Sequence, residues 1–144
     1  MIPESLNDNL FFNLDRASLL MRRRLLDSLG THQVSPEQWE ILQFIDNQEG
    51  TPQNKLTDLT MKDKGNISRT IARMVRNGWI CRQLVKSRGV QLRLTSEGRQ
   101  IKNSLPSLMS HQVRRILAPL EKEERGELIY TLKKLRILLG DDAI

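Results

Sequence analysis

Cysteine is almost missing from this sequence: Cys81 stands alone among 144 residues. A single cysteine excludes an intramolecular disulfide framework and makes the cytoplasm the natural compartment. Histidine is nearly as rare, with only His32 and His111, on different predicted elements. One thiol and two distant imidazoles are too few soft or nitrogen ligands for a transition-metal site, and no cofactor is expected. Spacing offers no Ser/His/Asp or Cys/His set, and no glycine-rich phosphate loop follows a strand, so an enzyme is not expected. No apolar run approaches the ~18 residues of a membrane span. The opening MIPESLNDNLFFNLD is acidic and lacks the basic-then-apolar layout of a signal peptide. Aromatics are only 4 % of residues, and β-branched runs are few beside abundant Leu and Arg, which favours a helical chain.

One stretch lacks acids. From Lys62 to Arg99 ten residues are basic and only Asp63 and Glu97 are acidic, a local charge of +8. The whole chain carries +6, so everything outside that stretch sums to −2. A basic patch concentrated in this way implies a polyanionic partner more strongly than diffuse basicity does.

The elements around the patch can be read from periodicity. The first thirty residues read as one long helix, with apolar residues at Leu6, Leu10, Leu14, Ala17, Met21, Leu25 and Leu29. Phe11, Phe12, Leu19, Leu20 and Leu26 add a second stripe, so this helix has two surfaces to bury, such as its own core and a second chain, with a central helix of a monomer as the alternative. Gly30-Thr31 ends it. Arg22, Arg23 and Arg24 read as a solvated basic cluster. Ser35 is placed to cap the next helix, with Pro36 as its first residue and Trp39, Leu42 and Ile45 inward, to about Asn47. Residues 47–51 read as a turn. Pro52 starts a short helix to about Leu59, and a turn over residues 60–63 leaves Asp63 as the cap of the helix at residues 64–77.

Winding that helix at about 100° per residue separates two faces. Ile67, Ile71, Met74 and Val75 fall together as a core face. Opposite them lie Gly65, Asn66, Arg69, Ala72, Arg73 and Arg76, with Ser68 and Thr70 flanking. Arg presents a planar fork matched to guanine edges or phosphate, and Asn can pair bidentately with adenine. Asn77-Gly78 closes the helix, and two strands at residues 80–85 and 90–95 follow around Lys86-Ser87-Arg88-Gly89. In the second strand Val90, Leu92 and Leu94 alternate with Gln91 and Arg93, the period of a half-buried strand. Two short strands are not stable alone and must pack on the preceding helices. Two helices, a tight turn and a hairpin with a basic tip make a winged helix-turn-helix, the fold whose helix enters a major groove while the wing meets the backbone or minor groove. Beyond it, residues 96–117 and 121–139 read as helices. Pro106 predicts a kink in the first of them. The stripe Leu128, Leu132, Leu135, Leu139 on the second suits a dimerisation region built with the N-terminal helix.

The stretches VSPEQWEIL, LTDLTMKDKGNISRTIARMVRNGWICR and RGVQLRLTSEG resemble the MarR family of bacterial transcription regulators. The resemblance spans nearly the whole chain. It implies a mainly α fold with a small β-hairpin. It also implies one MarR-like domain over residues 1–144, with a winged DNA-binding lobe at 34–98 and dimerisation helices at 1–31 and 99–144. It implies a homodimer on a pseudo-palindromic double-stranded DNA operator, a repressor role, and release by a small apolar or phenolic effector. Matched positions put base reading on Asn66, Ser68, Arg69, Thr70 and Arg73, and minor-groove or backbone contact on Arg88. Lys64, Arg76 and Lys86 complete the expected DNA-binding set. The sequence departs from the family at Lys86, where an acid two places before Arg88 is usual, and at Thr60-Met61, where only a local adjustment of the turn is expected. Two other readings stay open: a winged-helix protein-interaction module, and a redox sensor using Cys81, weighed against Cys81 as a small buried strand residue beside the helix.

Overall fold

The computed structural model describes residues 1–29, 33–45, 48 and 50–143, with the side chains of 105–108 excepted. The Gly30-Thr31 helix end, His32, residues 47 and 49 of the 47–51 turn, and the side chains of Leu105, Pro106 and Leu108 therefore lie outside the described residues. Two compact units are present, residues 1–103 and 104–144.

The expected single N-terminal helix is two helices, α1 (Glu4–Asn7) and α2 (Leu10–Leu29). The break has a local cause. The Asn9 side chain accepts from the Phe12 N–H at 2.9 Å, capping α2, while Asn13 Nδ2 donates to the Asn7 and Asn9 carbonyls at 2.6 and 2.8 Å. Asn side chains that compete for backbone groups in this way favour a cap over a continuous helix. Within α2 only Leu25 and Leu29 are buried.

The next helix, α3 (Pro36–Phe44), begins as its sequence dictates. Ser35 Oγ accepts from the Gln38 N–H at 3.1 Å and Gln38 Oε1 accepts from the Ser35 N–H at 3.0 Å, a reciprocal capping box. It ends one turn earlier than expected, with Ile45 already extended. Ile41, Leu42 and Ile45 are buried, whereas Trp39 is half-buried and Phe44 is exposed. Helix α4 (Gln53–Thr60) closes with Met61 in the left-handed conformation, φ 59°. That is the expected adjustment at Thr60-Met61, at a typical cost of about 1 kcal/mol for a residue with a Cβ.

Asp63 caps α5 (Lys64–Arg76) by accepting from the Asn66 N–H at 2.8 Å. Ile67, Ile71 and Met74 are fully buried beneath it. Each such side chain contributes roughly 1.5–3 kcal/mol of apolar burial, so the helix is anchored along one face. Its end is a Schellman turn: the Trp79 N–H reaches Met74 O at 3.1 Å and the Gly78 N–H reaches Val75 O at 3.0 Å. Gly78, at φ 79°, supplies the left-handed residue that this turn requires.

Strands β1 (Ile80–Val85) and β2 (Gly89–Leu94) pair antiparallel, from Ile80↔Leu94 to Val85↔Gly89. The loop is thus residues 86–88, and Gly89 belongs to the strand. The Arg88 N–H donates to Val85 O at 3.0 Å and Gly89 sits at φ 75°, the three-residue hairpin with a glycine bulge. The expected alternation in β2 fails in one respect. Val90 is exposed and Gln91 is buried. Thr51 forms an isolated antiparallel bridge to Leu92, with bonds of 2.9 and 2.8 Å, and so lays a third piece of backbone beside β2. Residue 50 packs on Gln91: a Cβ there would lie 2.8 Å from Gln91 Cβ. This second cover buries a residue that a one-sided strand would expose.

The junction after the hairpin explains the closing LTSEG. Thr95 Oγ1 donates to Gly78 O and accepts from the Gly98 N–H at 3.0 Å, tying the end of α5 to the start of α6 (Ser96–Leu117). Gly98 lies against the backbone of Trp79, where a Cβ would come within 2.0 Å of the carbonyl oxygen. The backbone of α6 runs as one helix past Pro106. The last helix, α7 (Lys122–Leu138), is opened by a Glu121–Glu124 capping box and buries none of its residues. Leu128, Leu132 and Leu139, three of the four residues of the expected stripe, are exposed, as are Ile129 and Leu138.

Candidate nucleic-acid interface

The basic stretch is divided between a face of α5 and the hairpin tip. On α5, Lys64, Arg69, Arg73 and Arg76 are exposed, and Asn66, Ser68 and Thr70 are half-buried at the edges of that face. Lys86 and Arg88 are exposed in the hairpin loop. All nine predicted site residues therefore lie within the 1–103 unit, on two adjacent elements.

Not all of them are equally available for an outside partner. Ser68 Oγ accepts from Gln53 Nε2 at 3.0 Å, so this hydroxyl braces α5 against the start of α4. Thr70 Oγ1 donates to Asn66 O at 2.9 Å and lies 3.4 Å from Asn66 Oδ1, orienting the Asn66 amide along the helix. Gly65 makes room at the head of the helix. A Cβ there would sit 3.3 Å from Arg69 Nη1 and 3.4 Å from Asp63 Oδ1, so the Arg69 guanidinium lies back over the first turn.

Beside Asn66 and Arg73 opens a polar cleft of about 400 Å³, lined also by Arg22, Ser35, Glu37, Gln38, Lys62 and Thr70. Arg22 Nε is hydrogen-bonded to Glu37 Oε1, joining α2 to α3 across it. Burial alone would push the Glu37 carboxyl up. The Arg22 hydrogen bond, its own backbone N–H and the Arg22 and Lys62 charges outweigh that and hold it below the ordinary glutamate value. The same bond raises Arg22. Arg22 is thus fixed in an ion pair, which its place in a three-arginine run does not reveal.

Two side chains that position this surface were not legible as such. Gln91, buried under residues 50 and 51, donates from Nε2 to Arg88 O at 2.8 Å and so holds the hairpin loop from below. Gln53 does the corresponding work for α5 through Ser68. Neither carries a sequence signal beyond its polarity, because both depend on backbone brought together from separate elements. Cys81, expected to be buried, is exposed: it is paired with Arg93 on the outer face of the hairpin. Among the described residues no group of three or more His, Cys, Asp or Glu is placed to hold a metal ion, and no helix is long and apolar enough to cross a membrane.

The arrangement has clear counterparts. The chain is similar to a structure described as a "probable transcriptional regulator from Pseudomonas aeruginosa", at 26 % identity and a TM-score of 0.81, over 90 % of this chain and 98 % of that one. It shares its fold with the transcriptional repressor CouR, bound to a 23-mer DNA duplex (22 %, TM-score 0.85, 94 % and 97 % of the two chains). It shares it also with the S. aureus MepR–DNA complex (18 %, TM-score 0.77, 88 % and 96 %). No curated protein sequence matches the chain. Residues 32–89 match the sequence model of the MarR family, and the mainly helical fold closed by a two-stranded wing is the one these transcription-regulator structures share.

Proposed function

We propose that this protein is a homodimeric, sequence-specific double-stranded DNA-binding repressor acting in the cytoplasm. The observation that carries the reading is the outward face of α5, where Arg69, Arg73 and Arg76 stand exposed with no acidic residue between Lys64 and Arg76. A helix held by a buried apolar face and bearing arginines on the other is built to enter a major groove. Asn66, Arg69 and Arg73 read base edges. Ser68 and Thr70, engaged within the protein, set the pose of α4 and α5 and reach phosphate oxygens at the rim. Lys64, Arg76, Lys86 and Arg88 meet the backbone, with Arg88 at the minor groove.

The DNA-binding lobe is residues 34–98, and the flanking segments 1–31 and 99–144 form the dimer. Support for the dimer comes from apolar side chains that each unit leaves uncovered. Leu10, Phe11, Leu19 and Leu20 are exposed on α2, as are Leu128, Ile129 and Leu138 on α7. Apolar surface of this extent on two helices marks an interaction site. Release by a small molecule fits the cleft beside α5, which shares Asn66, Thr70 and Arg73 with the reading face. Its polar lining suits a ligand carrying a charged or hydroxyl group, a phenol rather than a purely apolar molecule.

Gel-shift titration against the DNA upstream of the protein's own coding sequence, at several salt concentrations, tests the reading. A dimer making six or more phosphate contacts loses roughly a thousandfold in affinity between 50 and 200 mM salt. Binding that ignores salt, or no binding to any duplex, would favour the protein-interaction module instead.

A further inference from the structure

The hairpin ends in an apolar pair that the fold leaves uncovered. Leu84 and Val90 face each other across the antiparallel register and remain 78 % and 53 % exposed. The pleat puts them on the same side as the Ile80–Leu94 pair and Leu92, all of which are buried. Apart from Arg82, which stands across from Leu92 on this side and is exposed, the hairpin face is apolar and runs on past the edge of the core. The loop beyond the pair has a defined shape. Gly89 is left-handed, the Arg88 N–H is bonded to Val85 O, and Gln91 holds Arg88 O from below.

The charge around the pair selects its partner. Residues 80–94 contain Arg82, Lys86, Arg88 and Arg93 and no acid. A second copy placed on this tip by two-fold symmetry would set the same cations against each other. Duplex DNA offers the opposite combination. Its minor groove, about 6 Å wide, has walls of deoxyribose C–H surface bounded by rows of phosphate.

We infer that Leu84 and Val90 pack against the deoxyribose walls of a DNA minor groove, with Lys86 and Arg88 meeting the phosphates on either side. This rests on the DNA-binding reading above. It gives the wing a share of affinity that does not depend on salt, because apolar contact releases no counterions.

The test compares the full-length parent with Leu84→Ser, Val90→Thr and Lys86→Ala on a duplex recovered by random-sequence selection, with Kd measured across a salt series. Leu84→Ser is expected to weaken binding about five- to tenfold at every salt concentration and leave the slope of log Kd against log salt unchanged. Val90→Thr should act in the same way but less, and Lys86→Ala should flatten the slope. Both apolar side chains are exposed, so the melting temperatures of their variants should match the parent's. If the parent binds and Leu84→Ser binds equally well at every salt, the contact is overturned. A Leu84→Ser variant that keeps its DNA affinity but sediments as a smaller species assigns the patch to a second copy and likewise overturns it. If the parent binds no selected duplex, the DNA-binding reading fails and the contact fails with it.

Discussion

Helix α5 and the β1–β2 hairpin are neighbours in the chain and both are rich in cations, yet they are held in different ways. The helix is fixed from beneath by Ile67, Ile71 and Met74, at its start by Asp63 and at its end by the Schellman turn on Gly78. The far half of the hairpin has no such footing. Cys81, Arg82, Gln83 and Leu84 are all exposed along β1, and the loop depends on hydrogen bonds from Gln91 and on its own backbone. Charges on a rigid face can be aimed at individual base edges, where misplacement is costly. Charges on a projecting loop serve contacts that tolerate movement, such as those to phosphates. Under the proposed function, the same composition is sorted into reading and holding by what lies behind it.

That contrast can be broken most severely at the point where the two regions join. Gly98→Ala would drive a Cβ to 2.0 Å from the Trp79 carbonyl oxygen. It should cost about 3 kcal/mol of stability, the upper range for overpacking. A lowered urea midpoint with unchanged m checks it, and an unchanged midpoint would mean that α6 shifts freely past Trp79. Next in size, Arg73→Ala on α5 should cost about 2 kcal/mol of binding and relax sequence preference at one position of each half-site. Binding to a panel of single-substitution duplexes measures this. A uniform loss across the panel would move Arg73 to the holding group.

Lys86→Ala should produce that uniform loss, weaken all duplexes by less than Arg73→Ala, and reduce the salt slope by about one. If the two variants behave alike, the division between helix and hairpin fails. The smallest effect concerns the Arg22–Glu37 pair beside the cleft. Glu37 is held below its ordinary value of 4.5, so its contribution to stability is present at neutral pH and is lost as pH falls through and below that value. Arg22 is half exposed, so solvent screening limits the pair to roughly 0.5 kcal/mol. Glu37→Gln should therefore lower the melting temperature slightly at pH 7 and by progressively less as the pH falls below the ordinary glutamate value. A loss that does not change with pH would show that packing, not charge, is what Glu37 supplies.

Signals that act over three or four residues were legible in the sequence. Ser35 with Pro36 and Gln38, Asp63 ahead of α5, Asn77-Gly78 at its end and the spacing of Ile67, Ile71 and Met74 each dictate a local geometry through one hydrogen bond or one periodicity, and the structure has them. The N-terminal break is not legible in the sequence because leucine periodicity outweighs Asn9 and Asn13, whose side chains bond back to the backbone. The exposure of Cys81 and the burial of Gln91 are hidden from the sequence for a different reason. Alternation in a strand says which residues share a face, but not which face is covered or how far along the strand the cover reaches.

By itself, then, the sequence determined the winged-helix fold and the arginine face of α5, because these follow from short-range caps, helical winding and a local excess of charge. Tertiary structure alone decided the rest. It brought Thr51 beside Leu92 and so buried Gln91, set Gln53 against Ser68, paired Arg22 with Glu37, and stopped the core short of Leu84 and Val90. Each of these joins groups from separate elements, and such contacts exist only after the chain has closed its loops and chosen which surfaces to bury.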